Sequence, residues 1–346
     1  MAATRVAVVG PRQAGKLISG LAREVKIRPA GVSKAARVIV DAVQAGHLNM
    51  EEIRQNEDLP HEFGLTNGQI ANWVFLIDTL NFCFWTPDGQ PKFTVNYQGK
   101  TRTGYLGMVA AVNRALGEGR PMHDPAHYSS LTLEDLRHIF RSDTPSQMPL
   151  LEKRLEVLQE VGGILKEKFE GTFECVLRKA ENSAMKLVNI VTENFPCFRD
   201  TACFEGKPVA FYKRAQILAA DIWVLYRGQA PGGFADISKL TMFADYRVPQ
   251  VLAYLGALEY SEALYKKLKD QHMFSTGDRE EIEIRGCSIE ATELIVAEAQ
   301  KLLKAEGGNG VPLSSVTVDY FLWLYRVKHA AELECVPYHR VRCIYY

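Results

Sequence analysis

Apolar residues recur at every third or fourth position over most of this sequence. That spacing places them along one side of an α-helix, where they can be buried together. The pattern predicts helices over the ranges Arg12–Glu24, Ser33–Ala45, Thr66–Phe84, Leu106–Glu118, Leu133–Arg141, Pro149–Phe169, Cys175–Asn194, Val209–Arg227, Val248–Leu258, Ser261–Gln271, Ser288–Glu306 and Val316–Glu332. The sequence therefore predicts a mostly α-helical protein.

One segment departs from the helical spacing. Between residues 92 and 105, apolar residues alternate with polar ones, as in a strand with one buried face: Phe93, Val95 and Tyr97. The tripeptide Gln98-Gly99-Lys100 provides the turn of a short β-hairpin. No internal repeat or long linker divides the sequence. We expect one mostly α domain over residues 1–346, with a small β-hairpin and a flexible N-terminal arm of about residues 1–11.

The charge balance limits the class of ligand. The sequence has 41 basic and 41 acidic residues, which gives a formal net charge of zero. A protein that follows a polyanion usually carries an excess of Lys and Arg, so we expect no stable complex with DNA or RNA. A small anionic ligand remains compatible, because a few well-placed cations are enough to bind one phosphate.

The seven cysteines are scattered, and none forms a C-x-x-C pair, which disfavours zinc-ribbon and redox sites. With no signal peptide, we expect free thiols in a reducing compartment. Asp, Arg or Lys interrupts every apolar run before it could cross a membrane. These features predict a cytoplasmic protein, with nuclear access also possible, that makes no membrane contact and acts as a monomer.

The segment Gly10–Lys16 matches the phosphate-binding pattern G-x-x-x-x-G-K. The next residue is Leu17, however, whereas that loop needs a Ser or Thr hydroxyl for magnesium. Pro11 and Arg12 instead favour the start of a helix.

The eight histidines give no clear metal site. Only His123 and His127 lie four residues apart, and Pro125 between them breaks any helix that would align them. We therefore predict no metal and no cofactor. His61, just before an apolar helix, is either a helix-entry residue or a hydrogen-bonding partner of a substrate.

Two acidic residues have apolar neighbours. Asp245 follows Met242 and Phe243, and Asp319 lies in an apolar helical segment one turn before Trp323. A buried carboxylate is costly unless something compensates its charge. Asp245 could form a structural ion pair with Arg247, and Asp319 could cap a helix, or both acids could serve an active site.

A third cluster combines aromatic and polar residues. The segment Asn72–Trp85 contains Asp78 and Asn81 three residues apart on an otherwise apolar helix. Its aromatic residues either pack in the core or form a stacking wall for a planar base.

Taken together, these segments resemble the queuosine salvage family, the queuosine 5′-phosphate N-glycosylase/hydrolases. The matching stretches run in order along the chain: Asn72–Trp85, Tyr97–Leu106, Asn113–Leu116, Arg141–Leu150, Glu181–Ala184, Phe204–Ala219, Met242–Leu258, Glu283–Ser288 and Val336–Tyr346. The resemblance implies a helical fold related to that of the helix-hairpin-helix DNA glycosylases. The helix–Leu-Gly-x-Leu–helix pattern of Leu240–Leu258 also resembles a helix-hairpin-helix element.

The resemblance also implies an activity. It is the hydrolysis of queuosine 5′-monophosphate to ribose 5-phosphate and queuine, which is salvaged into tRNA modification. Carried over to this sequence, the substrate-binding residues are Met242, Phe243, Tyr320 and, as a weaker match, His61. The catalytic residues are Asp245 and Asp319.

We expect these two acids to have different catalytic roles. Loss of the base gives the ribose positive oxocarbenium character, which a carboxylate in a water-poor site stabilises. Our working hypothesis places Asp245 on the base edge and Asp319 beside C1′ or its water, with the reverse arrangement also open. The candidate phosphate ligands are Lys213 and Arg214, or Arg340 and Arg342, each of which could equally be structural.

One position departs from the family pattern. The resemblance implies an acid after Leu322-Trp323, where this chain has Leu324. Two alternatives stay open beside the hydrolase. One, based on the hairpin element, is a DNA-base glycosylase or nucleic-acid-binding module. The other, based on Leu324, is a pseudoenzyme that binds queuine or its nucleotide without turnover.

Overall fold

Helices make up most of the structure, a computed structural model that describes residues 7–48, 59–307 and 313–346. The α-helices are α1 (Pro11–Leu21), α2 (Pro29–Gln44), α3 (Asn67–Thr79), α4 (Gly104–Gly117), α5 (Pro125–Tyr128), α6 (Leu133–Ile139), α7 (Leu151–Lys168), α8 (Phe173–Ala180), α9 (Ala184–Asn194), α10 (Lys213–Leu225), α11 (Val248–Tyr254), α12 (Glu262–Lys269), α13 (Arg279–Ala305), α14 (Ser315–Lys328) and α15 (Ala330–Leu333). Short 3₁₀ helices span His61–Phe63, Pro196–Phe198 and Ile237–Lys239. The predicted mostly α fold is confirmed.

The strands are short and lie in pairs. They are β1 (Val25–Ile27), β2 (Thr94–Tyr97), β3 (Lys100–Thr103), β4 (Thr201–Phe204), β5 (Lys207–Ala210), β6 (Leu258–Tyr260), β7 (Met273–Phe274) and β8 (Arg340–Val341). The pairs β1–β6, β2–β3 and β4–β5 are antiparallel, and β7–β8 is parallel. The predicted hairpin is confirmed as β2–β3, with Gln98 and Gly99 at positive φ in its turn.

Several predicted helices are wrong in their extent, and two of them show why. The range Val209–Arg227 begins as strand β5, and Tyr212, at a φ of 50°, separates that strand from α10. The range Cys175–Asn194 is two helices, because Glu181 and Asn182 adopt positive φ and end α8. The side chain of Ser183 then caps α9 by accepting a hydrogen bond from the Lys186 N–H.

The N-terminal segment forms a helix and a strand contact. Helix α1 begins at Pro11, as the helix-start interpretation of Gly10–Lys16 predicts. Residues 1–6 of the predicted flexible arm lie outside the described residues. Val9 donates to the Pro208 carbonyl at 2.9 Å and accepts from the Ala210 N–H at 2.9 Å. The hydrogen-bonded part of the chain therefore includes residues just before α1.

One hydrophobic core joins the helices that carry the candidate site. Helix α13 packs on α1 and α2, α10 packs on α3, and α14 packs on both α11 and α13. This packing brings the end of α3, the inner side of α10, the segment before α11 and the middle of α14 to one region of the molecule.

Two further findings concern the cysteines and the possibility of a membrane-spanning helix. All seven cysteines are free thiols. In the ranges that the structure describes, no helix is both long and apolar enough to cross a lipid bilayer.

Candidate active site

A cavity of about 370 Å³ opens where α10, α14 and the segment before α11 meet. Charged and aromatic side chains line it: Asp221, Asp245, Asp319, Lys213, Arg247, Arg326, Phe84, Tyr105, Phe243, Tyr246, Tyr320, Trp323 and Tyr346. Its volume falls within the range of small-molecule sites, which combine apolar walls with a few converging polar groups.

Asp245 is held by the start of α11. Its Oδ1 accepts hydrogen bonds from the Arg247 N–H at 2.8 Å and the Val248 N–H at 3.0 Å. Backbone donors at a helix start stabilise the negative charge of a carboxylate. Asp245 is only partly buried and lines the cavity. It is therefore a carboxylate fixed in place at the cavity wall, and the side chain of Arg247 is not its ion-pair partner.

Asp319 lies deeper. It is 4% exposed, and its Oδ1 accepts a hydrogen bond from the Phe243 N–H at 2.9 Å. Burial, together with the negative charge of Asp245, raises the pKa of Asp319 well above its usual value. A carboxyl group in this environment favours its protonated form, so Asp319 is suited to donate a proton.

A second pair of acids lies behind Asp319. Asp221 accepts a short hydrogen bond from the Tyr320 hydroxyl, and burial raises the pKa of Asp221 to about 7. Asp78 is completely buried, with Oδ1 bonded to the Asn81 amide at 3.2 Å and Oδ2 without a partner. Burial and the charge of Asp221 raise the pKa of Asp78 well above its ordinary range.

Lys213 provides the positive charge among these acids. Its Nζ donates to the backbone carbonyl of Asn81 at 3.3 Å and to the Asn81 side chain at 3.2 Å. Burial lowers the pKa of Lys213, and Asp245, Asp78 and Asp319 act in the opposite direction. Lys213 therefore offsets part of the carboxylate charge in the cavity.

Aromatic rings line two sides of the cavity. Phe243 and Tyr320 meet edge to face with 5.8 Å between ring centroids. Tyr105 lies edge-on to Trp323 at 6.2 Å and to Phe84 at 6.1 Å. Such surfaces can stack on a planar base.

The third predicted cluster, Asn72–Trp85, is mainly part of the core. Phe75 stacks on Phe173 with 4.5 Å between centroids, and the Asn72 side chain accepts from the Phe173 N–H at 2.8 Å. Asn81 and Phe84, near its end, reach the cavity. The core interpretation therefore holds for most of this segment.

Several predicted site residues lie elsewhere. Met242 is completely buried in the core and does not line the cavity. His61 is exposed on a 3₁₀ helix and also lies outside the lining. The structure thus does not bring these two substrate-binding candidates to Asp245 and Asp319.

Arg214, a predicted phosphate ligand, lies outside the cavity lining. It is 1% exposed, and its guanidinium donates to the backbone carbonyls of Thr79 and Cys197. Its charge also lies 4.6 Å from the centroid of the Phe198 ring. These contacts hold the packing of α10 and leave Arg214 away from the cavity.

The two C-terminal candidates also lie outside the cavity lining. Arg340 is 4% exposed and forms an ion pair with Asp88 at 2.9 Å. Arg342 stacks on the Trp85 ring at 3.6 Å from its centroid and lines a different cleft.

Sequence reasoning missed Asp221 and Arg326, and it treated Arg247 only as an ion-pair partner. Asp221 lies two turns after Lys213 on α10, and Arg326 lies two turns after Asp319 on α14. Asp221 and Arg326 could have been found from the sequence, because each lies close to a whole number of helical turns from a predicted site residue. Leu324, at the departure from the family pattern, is an apolar part of the cavity lining.

Comparison with known proteins decides the family. The family model described as queuosine salvage protein matches residues 61–346. This chain belongs to the queuosine salvage protein family. A mouse (Mus musculus) relative in this family is 46% identical over 340 residues, which cover 98% of this chain and 99% of the relative.

Other members of the queuosine salvage family are similar over almost their full lengths. A relative from Bos taurus is 44% identical and covers 97% of this chain and 98% of its own length. One from the bacterium Sphaerobacter thermophilus is 39% identical and covers 91% and 98%, respectively. All three relatives are named queuosine 5′-phosphate N-glycosylase/hydrolase.

Proposed function

We propose that this chain hydrolyses the N-glycosidic bond of queuosine 5′-monophosphate and releases queuine for salvage into tRNA modification. The observation that carries the proposal is the meeting of Asp245 and Asp319 in one cavity beside aromatic rings. The chain shares 46% identity with a relative that bears the name of this activity.

The environments of the two acids favour a division of roles. Asp245, whose negative charge two backbone N–H groups stabilise, supports the positive charge that develops at C1′. Asp319, with its raised pKa, donates a proton to the departing base. This is the reverse of our working hypothesis from the sequence.

The proposed reaction balances without a cofactor. The bond from C1′ to the base nitrogen breaks, and its electron pair stays with the base, which takes the proton of Asp319. A water oxygen then bonds to C1′ and gives a proton to Asp245, which yields ribose 5-phosphate. Two carboxyl groups acting in this way are common in glycoside hydrolysis.

The first prediction tests these roles by replacing each acid with its amide. Asp245→Asn removes the charge beside C1′, and Asp319→Asn removes the proton donor. We expect each change to lower kcat by about 10²-fold or more, which is the usual scale for a general acid or an electrostatic group. The measurement is release of free queuine from queuosine 5′-monophosphate, followed by chromatography.

Asp270→Asn is the matched control, because Asp270 is exposed and forms an ion pair with Lys266 on α12. It should retain the wild-type rate. Full activity in Asp245→Asn or in Asp319→Asn would remove that residue from the mechanism. Wild-type protein that binds the nucleotide without releasing queuine would favour the pseudoenzyme, for which Leu324 in the cavity wall is the supporting observation.

The remaining expectations are part of the same proposal. We propose a cytoplasmic monomer that acts on a small molecule and forms no stable complex with nucleic acid, in keeping with 41 basic against 41 acidic residues. We also propose kinship with helix-hairpin-helix glycosylases. Its support is the turn after α11, where Gly256 at a φ of 80° leads through β6 into α12.

A further inference from the structure

Two arginines lie at the open end of the cavity. Arg247 directly precedes α11 and Arg326 is near the end of α14, and both are partly exposed. The neighbouring Val327 is 44% exposed, whereas the lining residues Asp319 and Asp221 are 4% and 5% exposed. The cavity thus has an acidic inner end and a basic mouth.

Neither arginine forms an ion pair with a carboxylate in the described part of the chain. Glu334 acts on the charge of Arg326 only from a longer distance. Arg326 Nε is buried without a hydrogen-bond partner. Burial, followed by the positive charge of Arg247, lowers the pKa of Arg326 to about 10. Two partly buried cations near each other are unfavourable unless an anion joins them.

Arg247 is held in a fixed orientation. Its guanidinium carbon lies 4.5 Å from the centroid of the Tyr338 ring and 5.1 Å from that of Tyr246. One of its terminal nitrogens donates to the Gln250 side chain at 3.1 Å. A planar guanidinium positioned in this way presents its remaining donors in the geometry that suits a phosphate.

We infer that Arg247 and Arg326 bind the 5′-phosphate of the nucleotide substrate. This inference rests on the function proposed above, and it names the residues that distinguish the nucleotide from the nucleoside. Lys213, which also lines the cavity, is less suited to bind the phosphate. The negative charges of Asp78, Asp245 and Asp319 act on Lys213 and would repel a phosphate placed there.

A phosphate at the mouth fixes the direction in which the nucleotide lies. The ribose then falls next to Asp245, two residues before Arg247, and the base reaches inward to Asp319, Phe243 and Tyr320. This order agrees with the roles proposed for the two acids. Phosphate binding at the two arginines therefore also places C1′ beside the carboxylate that supports it.

The second prediction compares two substrates that differ only in the phosphate. We expect Arg247→Gln and Arg326→Gln each to lower kcat/KM for queuosine 5′-monophosphate by about 10- to 100-fold, the scale of a hydrogen bond between charged groups. The kcat/KM for the nucleoside queuosine should change by less than about threefold, because an absent phosphate makes no contact. Lys328→Gln removes the same charge two residues from Arg326 outside the cavity lining, and it should leave both values unchanged.

A binding measurement keeps the subsite testable if turnover fails. By calorimetry, ribose 5-phosphate should bind wild-type protein and Lys328→Gln, and should bind the two arginine variants at least about tenfold more weakly. Wild-type protein that releases no queuine from either substrate would overturn the proposed function and leave this binding test in place. Equal ribose 5-phosphate affinity in all four proteins, or equal losses of kcat/KM on nucleotide and nucleoside, would overturn the phosphate subsite.

Discussion

At the scale of single residues, the inner end of the cavity and its surroundings contain more acidic than basic side chains. Asp78, Asp221 and Asp319 all have raised pKa values, with burial as the largest cause, and the pKa of Lys213 is lowered. Carboxyl groups that resist ionisation in this way retain protons near neutral pH, whereas a lysine with a lowered pKa gives up its proton more readily. Proton donation by Asp319 is therefore consistent with its surroundings, and Asp221 adds a second titrating group beside Tyr320.

The third prediction concerns Asp221 and the pH dependence of stability. Its pKa is about 7 in the folded protein, against an ordinary value of 3.8. Between these values the folded protein keeps a proton that the unfolded chain releases, so raising the pH through this window lowers stability. We expect Asp221→Asn, which cannot ionise, to show a smaller decrease in Tm than wild type from about pH 4 to 7.

The measurement is a series of thermal melts over that pH range. Asp135→Asn is the control, because hydrogen bonds from Thr132 lower the pKa of Asp135 to about 2, below the window. Its Tm profile should run parallel to that of wild type. Parallel profiles for wild type and Asp221→Asn would contradict the raised pKa of Asp221.

Part of the site follows from the sequence. Asp245, Asp319, Phe243 and Tyr320 all line the cavity, and the two acids were recognisable as charges among apolar neighbours. Arg214 follows Lys213 directly, and consecutive residues on a helix point about 100° apart. Lys213 consequently enters the cavity and Arg214 enters the core.

At the scale of elements, close helix packing depends on particular glycines. Gly162 and Gly163 are neighbours on α7, but only Gly162 faces α5. A Cβ on Gly162 would lie 2.5 Å from the Ser129 Cβ and 2.9 Å from the Pro125 carbonyl oxygen, whereas a Cβ on Gly163 meets nothing within 4 Å.

The fourth prediction uses this pair as its own control. Gly162→Ala should destabilise the protein by about 1–3 kcal/mol, because the added methyl group forces α5 and α7 apart. Gly163→Ala should stabilise it by about 0.4–1 kcal/mol, through the lower backbone entropy of the unfolded chain. Urea unfolding measures both. A Gly162→Ala protein at least as stable as wild type would show that α5 and α7 do not pack as closely as described.

Sequence reasoning found elements with one apolar side and missed those without. Helix α13 begins at Arg279 rather than Ser288, because its first turns are buried on most sides and include the charged residues Glu281, Glu283 and Arg285. Strands β4 and β5 do not alternate regularly between buried and exposed residues, so no period of two marks them in the sequence. The pairs β1–β6 and β7–β8 join segments that are distant in the chain, so only the tertiary fold reveals them.

At the scale of the whole molecule, one buried arginine connects the cavity to the rest of the fold. Arg285 on α13 bonds both oxygens of Asp200 at 3.0 and 2.6 Å, and donates to the Ala244 carbonyl at 2.8 Å. Its guanidinium carbon lies 4.1 Å from the ring centroid of Tyr346, which lines the cavity. It thereby joins α13, the segment before β4, the segment that carries Asp245 and the C-terminal residues.

The fifth prediction tests whether this connection holds the molecule together. Burial opposes the charge of Arg285, but Asp200 and Glu281 outweigh it and raise the pKa of Arg285. Arg285→Gln would leave those two acids buried without their cation, so we expect it to lower the free energy of unfolding by about 3–5 kcal/mol. Urea unfolding gives this value, and queuine release should fall as well, because the Ala244 carbonyl loses its donor. Arg178→Gln removes an exposed arginine paired with Glu170 and should change stability little. If the two variants lost equal stability, the ion pairs of Arg285 would not be what holds these elements of the fold together.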